Sequence, residues 1–389
     1  MQRKALEGLQ VVDVTTTIAG PHCSRLLADL GANVIKIEGP EGDMMRSRPP
    51  LRSSASTSFG QLNAGKRSAV LDLKNPVAVK AVRALAAKAD IFVENYRPGV
   101  TRRLGLSYES LAELNPRLVY CSISGYGQTG PSAELAAYAP VIHAASGFDL
   151  AHMAYQPGRT QPDNCGIYIA DVLTGTYAFG AIMAAINQRH ATGKGQHVDV
   201  SMLESMLTLT LTEMQAAQFA VPPPPKRHMF SPVATRDGYI HIAIASERTF
   251  QGVAEAAGRV DWITDPRFEK YLDRRSNWAE FMDELEGWSR TLDSAGVLAA
   301  LERHSVPASP YRSVQEVMAD PQLAHRDAFA EVSDMAGTFK ALNPPFRLSG
   351  SETKAGSFAA GLGEHTAEVL AEAGLTDAEI ASLASRRKG

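Results

Sequence analysis

Residues 9–38 read LQVVDVTTTIAGPHCSRLLADLGANVIKIE. Two short runs rich in Val and Ile, 9–15 and 32–38, flank a segment from Pro21 to Leu30 that reads as a helix. The strand signature returns at ADIFVEN (89–95) and RLVYCSIS (117–124). Between these runs, Pro76 to Ala89 reads as a second helix, with Asn75 placed to cap it and proline in its first turn. Strands that alternate with helices pair in parallel and need both sheet faces covered, so the first 125 residues predict a doubly wound α/β domain.

Past this region the pattern loosens. GYGQTGP (125–131) is a turn-rich loop after a strand, and an apolar helix follows Asp171. HATGKGQHVDVSM (190–202) leads through a turn into a short strand, and Ser201 to Ala220 reads as one long helix. The prolines at 222–225 end it, because proline lacks the backbone N–H and clashes with the preceding turn. Beyond this spacer, GYIHIAIA (238–245) alternates as a strand, and helices are predicted over Trp278–Leu292 and Gly296–His304. These form a second, smaller domain over roughly 226–325. The tail from Thr366 to Ala384 has the composition of a single helix.

Charge and cysteine usage exclude several functions. The 389 residues carry 39 Lys and Arg against 42 Asp and Glu, a net charge of −3. No global basic field is present to hold a phosphate backbone, so a nucleic-acid binder is not expected. Cys23, Cys121 and Cys165 form no CxxC pair, which argues against a disulfide framework and a zinc site. The opening MQRKALEGLQVVDV lacks the apolar run and cleavage site of a secretory signal, and a cytoplasmic location is expected. Ile169 to Ile186 approaches the length of a bilayer span. Asp171 near its start and its Gly, Ala and Thr content favour a buried, closely packed helix, and no membrane association is expected.

Taken alone, the chemistry-bearing residues leave the reaction open. A parallel sheet invites a dinucleotide, but the GxGxxG turn is missing after the first strand, and neither a P-loop nor a GxSxG elbow occurs. The histidines form no HExxH pair and the acids show no metal spacing, so no metal site is predicted. Asp171 sits at the start of the apolar helix among mostly apolar neighbours. It reads either as a helix cap or as a carboxylate set to act as a covalent nucleophile. Gly125, Gly127 and Gly130 either shape turns or let the backbone approach a ligand.

At the level of whole segments the chain resembles the class III coenzyme A transferases, which include formyl-CoA transferase, carnitine CoA-transferase and dicarboxylate-using relatives. The resemblance rests on LEGLQVVDVTTTIAGPHCSRLLADLGANVIKIEGPEGD (6–43), NAGKRSAVLDL (63–73), IFVENYRPGVTRRLGL (91–106) and LNPRLVYCSISGYGQTGP (114–131). IADVLTGTYAFGAIMAAINQRHATGKGQHVDVSM (169–202) and GLGEHTAEVLAEAGL (361–375) extend it over essentially the whole chain. It implies that Asp171 is the acyl-accepting nucleophile and that Thr16, Ala19, Gly20, Asn95, Tyr96, Arg103 and Tyr138 line the coenzyme A site. Lys66 and Arg67 either add charge there or form a solvated basic face. Coenzyme A and its acyl thioesters are then substrates, with no permanently bound cofactor. The resemblance also implies a large Rossmann-like domain (1–200, completed by a return segment 326–389), a helix and proline-rich linker (201–225) and a smaller α+β domain (226–325). Two such subunits are expected to interlock as a ring-like homodimer.

Two departures bear on the substrate. The glycine run that formyl-CoA transferase carries in its small domain is replaced by HMFSPVATRDGYI (228–240), where His228, Met229 and Ser231 stand. An arginine that follows the second strand in that enzyme is Gly39 here, which leaves Arg46 or Arg48 to meet the coenzyme. The expected reaction is transfer of coenzyme A from succinyl-CoA to a dicarboxylate such as itaconate, mesaconate, malate or a glutarate derivative. Arg46, Arg48, Arg52 and Arg227 are candidates for the remote carboxylate. The alternatives are intramolecular transfer within a branched C5 diacid, α-methylacyl-CoA racemisation and a non-catalytic coenzyme A-binding protein. Racemisation needs a second acid–base group, and the matching place holds Tyr138, with His143 five residues later.

Overall fold

The computed structural model describes residues 3–156, 158–219 and 231–385. The proline run, Arg227, His228 and Met229 lie outside the described residues. Two compact units are present: a larger one of Met1–Ala151, Pro162–Gln218 and Gln322–Gly389, and a smaller one of His152–Gln161 and Phe219–Pro321.

The larger unit is built on six parallel strands: β1 (Gln10–Asp13), β2 (Asn33–Glu38), β3 (Arg67–Val70), β4 (Ile91–Glu94), β5 (Val119–Ser124) and β6 (Gln196–Ser201). Their order is β3-β2-β1-β4-β5-β6, and every pair is parallel. This is the doubly wound arrangement in which the chain starts at the centre and winds outward in both directions. Successive side chains point to opposite faces. Val12, Ile35, Phe92 and Tyr120 pack on one side with α2 (Pro76–Ala86) and, from the far end of the chain, Val369 and Leu370. Val11, Val34, Ile91, Val93 and Cys121 pack on the other with Leu27 of α1 (Ala19–Asp29) and Ala178, Ile182 and Ile186 of α5 (Ile169–Thr192). The apolar segment considered for a bilayer is this α5 helix. It is long and apolar enough to cross a membrane, but its Ala170, Thr174, Ala178, Ile182 and Ile186 row is buried in the core of the unit.

Three differences between the predicted elements and the structure concern the parallel sheet and the helices that cover or follow it. Arg67–Val70 is a sheet strand that the reading above leaves unassigned. The single helix expected over Ser201–Ala220 is two, Met202–Leu207 and Leu211–Ala216. Thr208 and Thr210 donate their hydroxyls to the carbonyls of Ser205 and Leu207, at 2.7 and 3.2 Å, which competes with the helical ladder. The single C-terminal helix is also two, α6 (Thr366–Glu372) and Asp377–Ser385, because Gly374 takes a left-handed φ of 76° and ends the first.

The smaller unit holds a three-stranded antiparallel sheet in the order β9 (Ala308–Pro310), β8 (Tyr239–Ile242), β7 (Val233–Ala234). Phe250, Trp262, Phe268 and Phe281 form its aromatic core, and Glu284 accepts the Trp262 indole N–H at 2.8 Å. An antiparallel hairpin, β10 (Phe329–Asp334) and β11 (Gly337–Leu342), follows in the larger unit. The mixed α/β architecture, with a parallel sheet and smaller antiparallel ones, is the fold class expected.

Candidate active site

Doubly wound sheets bind ligands where the winding reverses, outside the carboxyl ends of the strands. Here that place lies between β1 and β4, at Val14–Ile18 after one strand and Asn95–Pro98 after the other. Its backbone is tied down group by group. Thr15 N–H donates to Asp13 at 2.9 Å, and Thr15 C=O accepts from Lys36 Nζ at 2.9 Å. Thr16 N–H donates to Asn95 Oδ1 at 3.0 Å, and Asn95 Nδ2 returns a bond to Thr16 C=O at 2.8 Å. Thr17 takes a left-handed φ of 73°, and its N–H donates to Asp43 at 3.2 Å. A β-branched residue at positive φ is strained, and it persists where its surroundings over-determine it.

Charges buried beneath the loop provide those surroundings. Lys36 pairs with Asp43 at 2.9 Å, and Lys66 with Asp13 at 3.1 Å, all four side chains being 1% exposed or less. Lys66 also donates to Pro21 C=O, Ser24 and Asn63. Burial opposes the charge on Asp13, but the Lys66 and Lys36 ammoniums and the Ser24 and Thr15 hydroxyls hold its carboxyl well below the usual range. Lys66 therefore neither lines the cleft described below nor forms a solvated surface; it neutralises a carboxylate in the core. Arg67 pairs with Glu368 and Glu372 of the C-terminal segment.

Asp171 comes to this loop from α5. Ile18, at the N-cap of α1, provides no side-chain acceptor. The Asp171 carboxylate lies near the backbone N–H of Ala19, which favours its charged form. The positive end of α1 thus faces the charge of Asp171, which belongs to another helix. Burial still dominates and raises its pKa to about 6, with the Ala19 N–H acting against the rise. The approach depends on Gly175, one turn on. A Cβ there would lie 2.4 Å from the Ala19 carbonyl oxygen, so only glycine lets α5 come this close to α1.

The cleft in front of Asp171 is lined by Thr16, Ala19, Asn95, Tyr96 and Tyr138. Thr17, Arg97, Ser124 and Met202, which sequence reasoning did not single out, also line it. Gly20 lies behind it, buried in the first turn of α1 against Thr15. Arg103 is elsewhere. It sits on α3 (Val100–Arg103), beside a separate depression formed by Leu73, Lys74, Pro76, Val79, Lys80, Arg83 and Leu104. The buried Ser124 hydroxyl has no hydrogen-bond partner among the described residues. Two arginines proposed for ligands are engaged within the protein: Arg46 grips Glu38 with bonds of 2.6 and 2.7 Å, and Arg52 grips Asp334 with 2.8 and 3.0 Å. Arg48 is exposed and does not line the cleft.

The chain also matches known proteins along its length. The family model for CoA-transferase family III matches residues 6–366. The chain is 33% identical over 387 residues to the succinate–glutarate CoA-transferase of Agrobacterium fabrum, covering 95% of this chain and 96% of the relative. It is 34% identical over 381 residues to the succinyl-CoA:glutarate CoA-transferase of Homo sapiens, covering 95% and 86%. The crystal structure of a CaiB/BaiF family protein from Brucella suis superposes with a TM-score of 0.84 at 33% identity, covering 96% of this chain and all of that one.

Proposed function

The chain belongs to CoA-transferase family III, and on that premise we propose that Asp171 is the nucleophile that carries the acyl group and coenzyme A in turn. It is an enzyme that moves coenzyme A between an acyl-CoA and a carboxylic acid. The observation that carries the assignment is the Asp171 carboxylate, which shares one cleft with Thr16, Ala19 and Asn95 at the reversal point of the sheet.

In this reading a carboxylate oxygen of Asp171 attacks the thioester carbonyl of the donor, and the C–S bond breaks to release coenzyme A thiolate and leave a mixed anhydride. The thiolate attacks the aspartyl carbonyl, which frees the first acid and makes an aspartyl thioester. The acceptor carboxylate attacks that carbonyl, expels the thiolate and forms a second anhydride. The thiolate then attacks the acceptor's carbonyl, which yields the new acyl-CoA and regenerates Asp171. Each attack builds an oxyanion, and the N–H groups at the start of α1 are fixed donors beside it. The cleft also serves to keep water from the anhydrides.

Tyr96 and Tyr138 provide ring faces and hydroxyls for the pantetheine arm. The 95–104 segment runs from the cleft to the depression beside Arg103, where Lys74, Lys80 and Arg83 add charge next to apolar Leu73, Pro76 and Val79. That depression suits a phosphorylated nucleoside. For the acids we propose succinyl-CoA as donor and a dicarboxylate as acceptor. Arg97, the cation lining the cleft, would hold the remote carboxylate, and the succinate and glutarate in the names of the relatives above support the same class. The interlocked homodimer belongs to this proposal and rests on the family resemblance.

Mass spectrometry of a thioester-exchange panel tests the assignment. Succinyl-CoA, acetyl-CoA and formyl-CoA are each offered with glutarate, itaconate, mesaconate, malate and oxalate, and with the monocarboxylates propionate and butyrate, using wild type, Asp171→Asn and Arg97→Ala. New acyl-CoA that requires Asp171 supports the nucleophile, and exchange by Asp171→Asn refutes it. A loss in Arg97→Ala confined to dicarboxylates supports the acid class.

A further inference from the structure

The helix α4 (Ala139–Ala145) has seven residues and reaches two parts of the site. Tyr138, its N-cap, lines the Asp171 cleft. His143, in its last turn, is 3% exposed, and its Nε2 accepts the backbone N–H of Ala170 at 3.2 Å. Ala170 immediately precedes Asp171. The first N–H groups of a helix lack partners within it and must find them elsewhere. In α5, Ile169 N–H donates to Ile167 C=O at 2.9 Å and Val172 N–H to Tyr168 C=O at 3.1 Å. Tyr168, the N-cap residue, contributes no side-chain acceptor, and the Ala170 N–H goes to His143.

We propose that His143 is a positioning residue for the transfer reaction, a neutral imidazole that caps α5 from another helix and fixes the angle at which Asp171 meets Ala19. The proposal rests on Asp171 being the nucleophile. Its chemistry is specific. To accept an N–H, Nε2 must be unprotonated, so the ring proton sits on Nδ1. A protonated ring would turn N–H against N–H at the positive end of a helix and would lose the cap. Burial favours the neutral ring and lowers the His143 pKa, while Asp149 pulls the other way. Phe148 packs against the ring, with centroids 5.8 Å apart.

The test compares His143→Gln, whose amide oxygen can accept the same N–H, with His143→Leu, which has similar bulk and no acceptor. The readouts are the rate at which the covalent protein species forms from succinyl-CoA and the dissociation constant of free coenzyme A. The Leu variant should acylate about tenfold more slowly with coenzyme A affinity within about twofold, and the Gln variant should recover most of the rate. Unchanged acylation in the Leu variant overturns the proposal. Equal loss of rate and affinity in both variants also overturns it, because that outcome describes a merely structural side chain. If the Leu variant does not fold, His143→Ala takes its place, and recovery of rate with added imidazole supports the role while failure to recover overturns it. Asp171→Asn, run alongside, reports on the nucleophile separately: its turnover would refute that reading whatever the His143 variants do.

Discussion

Asn95 and Thr16 grip one another through opposed hydrogen bonds, side-chain carbonyl to N–H at 3.0 Å and side-chain amide to C=O at 2.8 Å. The residue after β4 thereby acts as an extra rung of sheet for the residue beyond the end of β1. This joins the two loops at the point where the strand order reverses, and it leaves the start of α1 aimed at Asp171.

Replacing Asn95 by Asp should break this grip in one direction, because a carboxylate oxygen would then face the Thr16 carbonyl. Unfolding free energy is expected to fall by about 1–3 kcal/mol. Urea denaturation checks the stability and the exchange assay checks the accompanying loss of rate. An Asn95→Asp protein with the wild-type midpoint and rate would show that the grip has no role.

Asp171 should give activity and stability opposite pH dependences. The nucleophile is the carboxylate, so acylation is expected to rise with pH through about 6 and then level. The folded protein holds that proton more tightly than the unfolded chain, whose carboxyl titrates near 3.8. The stabilising contribution is therefore full below that value and is lost as pH rises through about 6. Asp171→Asn should gain on the order of 2–3 kcal/mol at pH 8 and little at pH 4. Denaturation curves at the two pH values decide this, and equal midpoints at pH 8 would contradict it.

Gly175→Ala should separate α5 from α1. Its Cβ would meet the Ala19 carbonyl oxygen at 2.4 Å, and backbone cannot move aside cheaply. We expect a stability loss of about 1–3 kcal/mol with a large fall in acylation. Gly180→Ala on the same helix is the control. Its Cβ would meet nothing within 4 Å, and the change should be neutral or stabilising by up to about 1 kcal/mol.

Ser124→Ala should stabilise the ligand-free protein. The hydroxyl is buried without a partner, and removing an orphaned polar group is expected to return about 1 kcal/mol. Differential scanning calorimetry without ligand provides the measurement, and a lower Tm would show that the hydroxyl is satisfied.

Much of this architecture is legible in the sequence because it is written locally. Val and Ile runs mark four central strands, and Asn75 followed by Pro76 marks a helix start that the structure reproduces, with the Asn75 side chain accepting Val77 N–H at 3.0 Å. Arg67–Val70 escapes such reading because it is an edge strand of four residues. Segment resemblance brings Thr16, Ala19, Asn95, Tyr96, Tyr138 and Asp171 to one cleft, since they follow strands or begin helices. The charges were harder to read. Lys66 looks like a surface residue until Asp13, 53 residues earlier, is folded beside it. Arg46 and Arg52 look like free cations until Glu38 and Asp334 take them. A partner set by topology leaves no mark in local spacing, and the same holds for His143, whose purpose is visible only once Ala170 arrives from another helix.

The return of the C-terminal segment to β3 has a consequence for how the protein is made. His365 N–H bonds Ser68 C=O at 2.9 Å, the Thr366 hydroxyl accepts Val70 N–H at 3.0 Å, and Arg67 reaches Glu368 across 301 residues. Until those residues leave the ribosome, one face of the sheet lacks Val369 and Leu370, and its edge strand has a bare flank. At a synthesis rate of about 5–20 residues per second, that surface waits on the order of 15–60 s for its cover. An exposed strand edge invites pairing with other chains. The nascent protein thus has a long interval in which chaperone protection matters most, and a stop codon shortly before Thr366 would leave the sheet in that vulnerable state permanently.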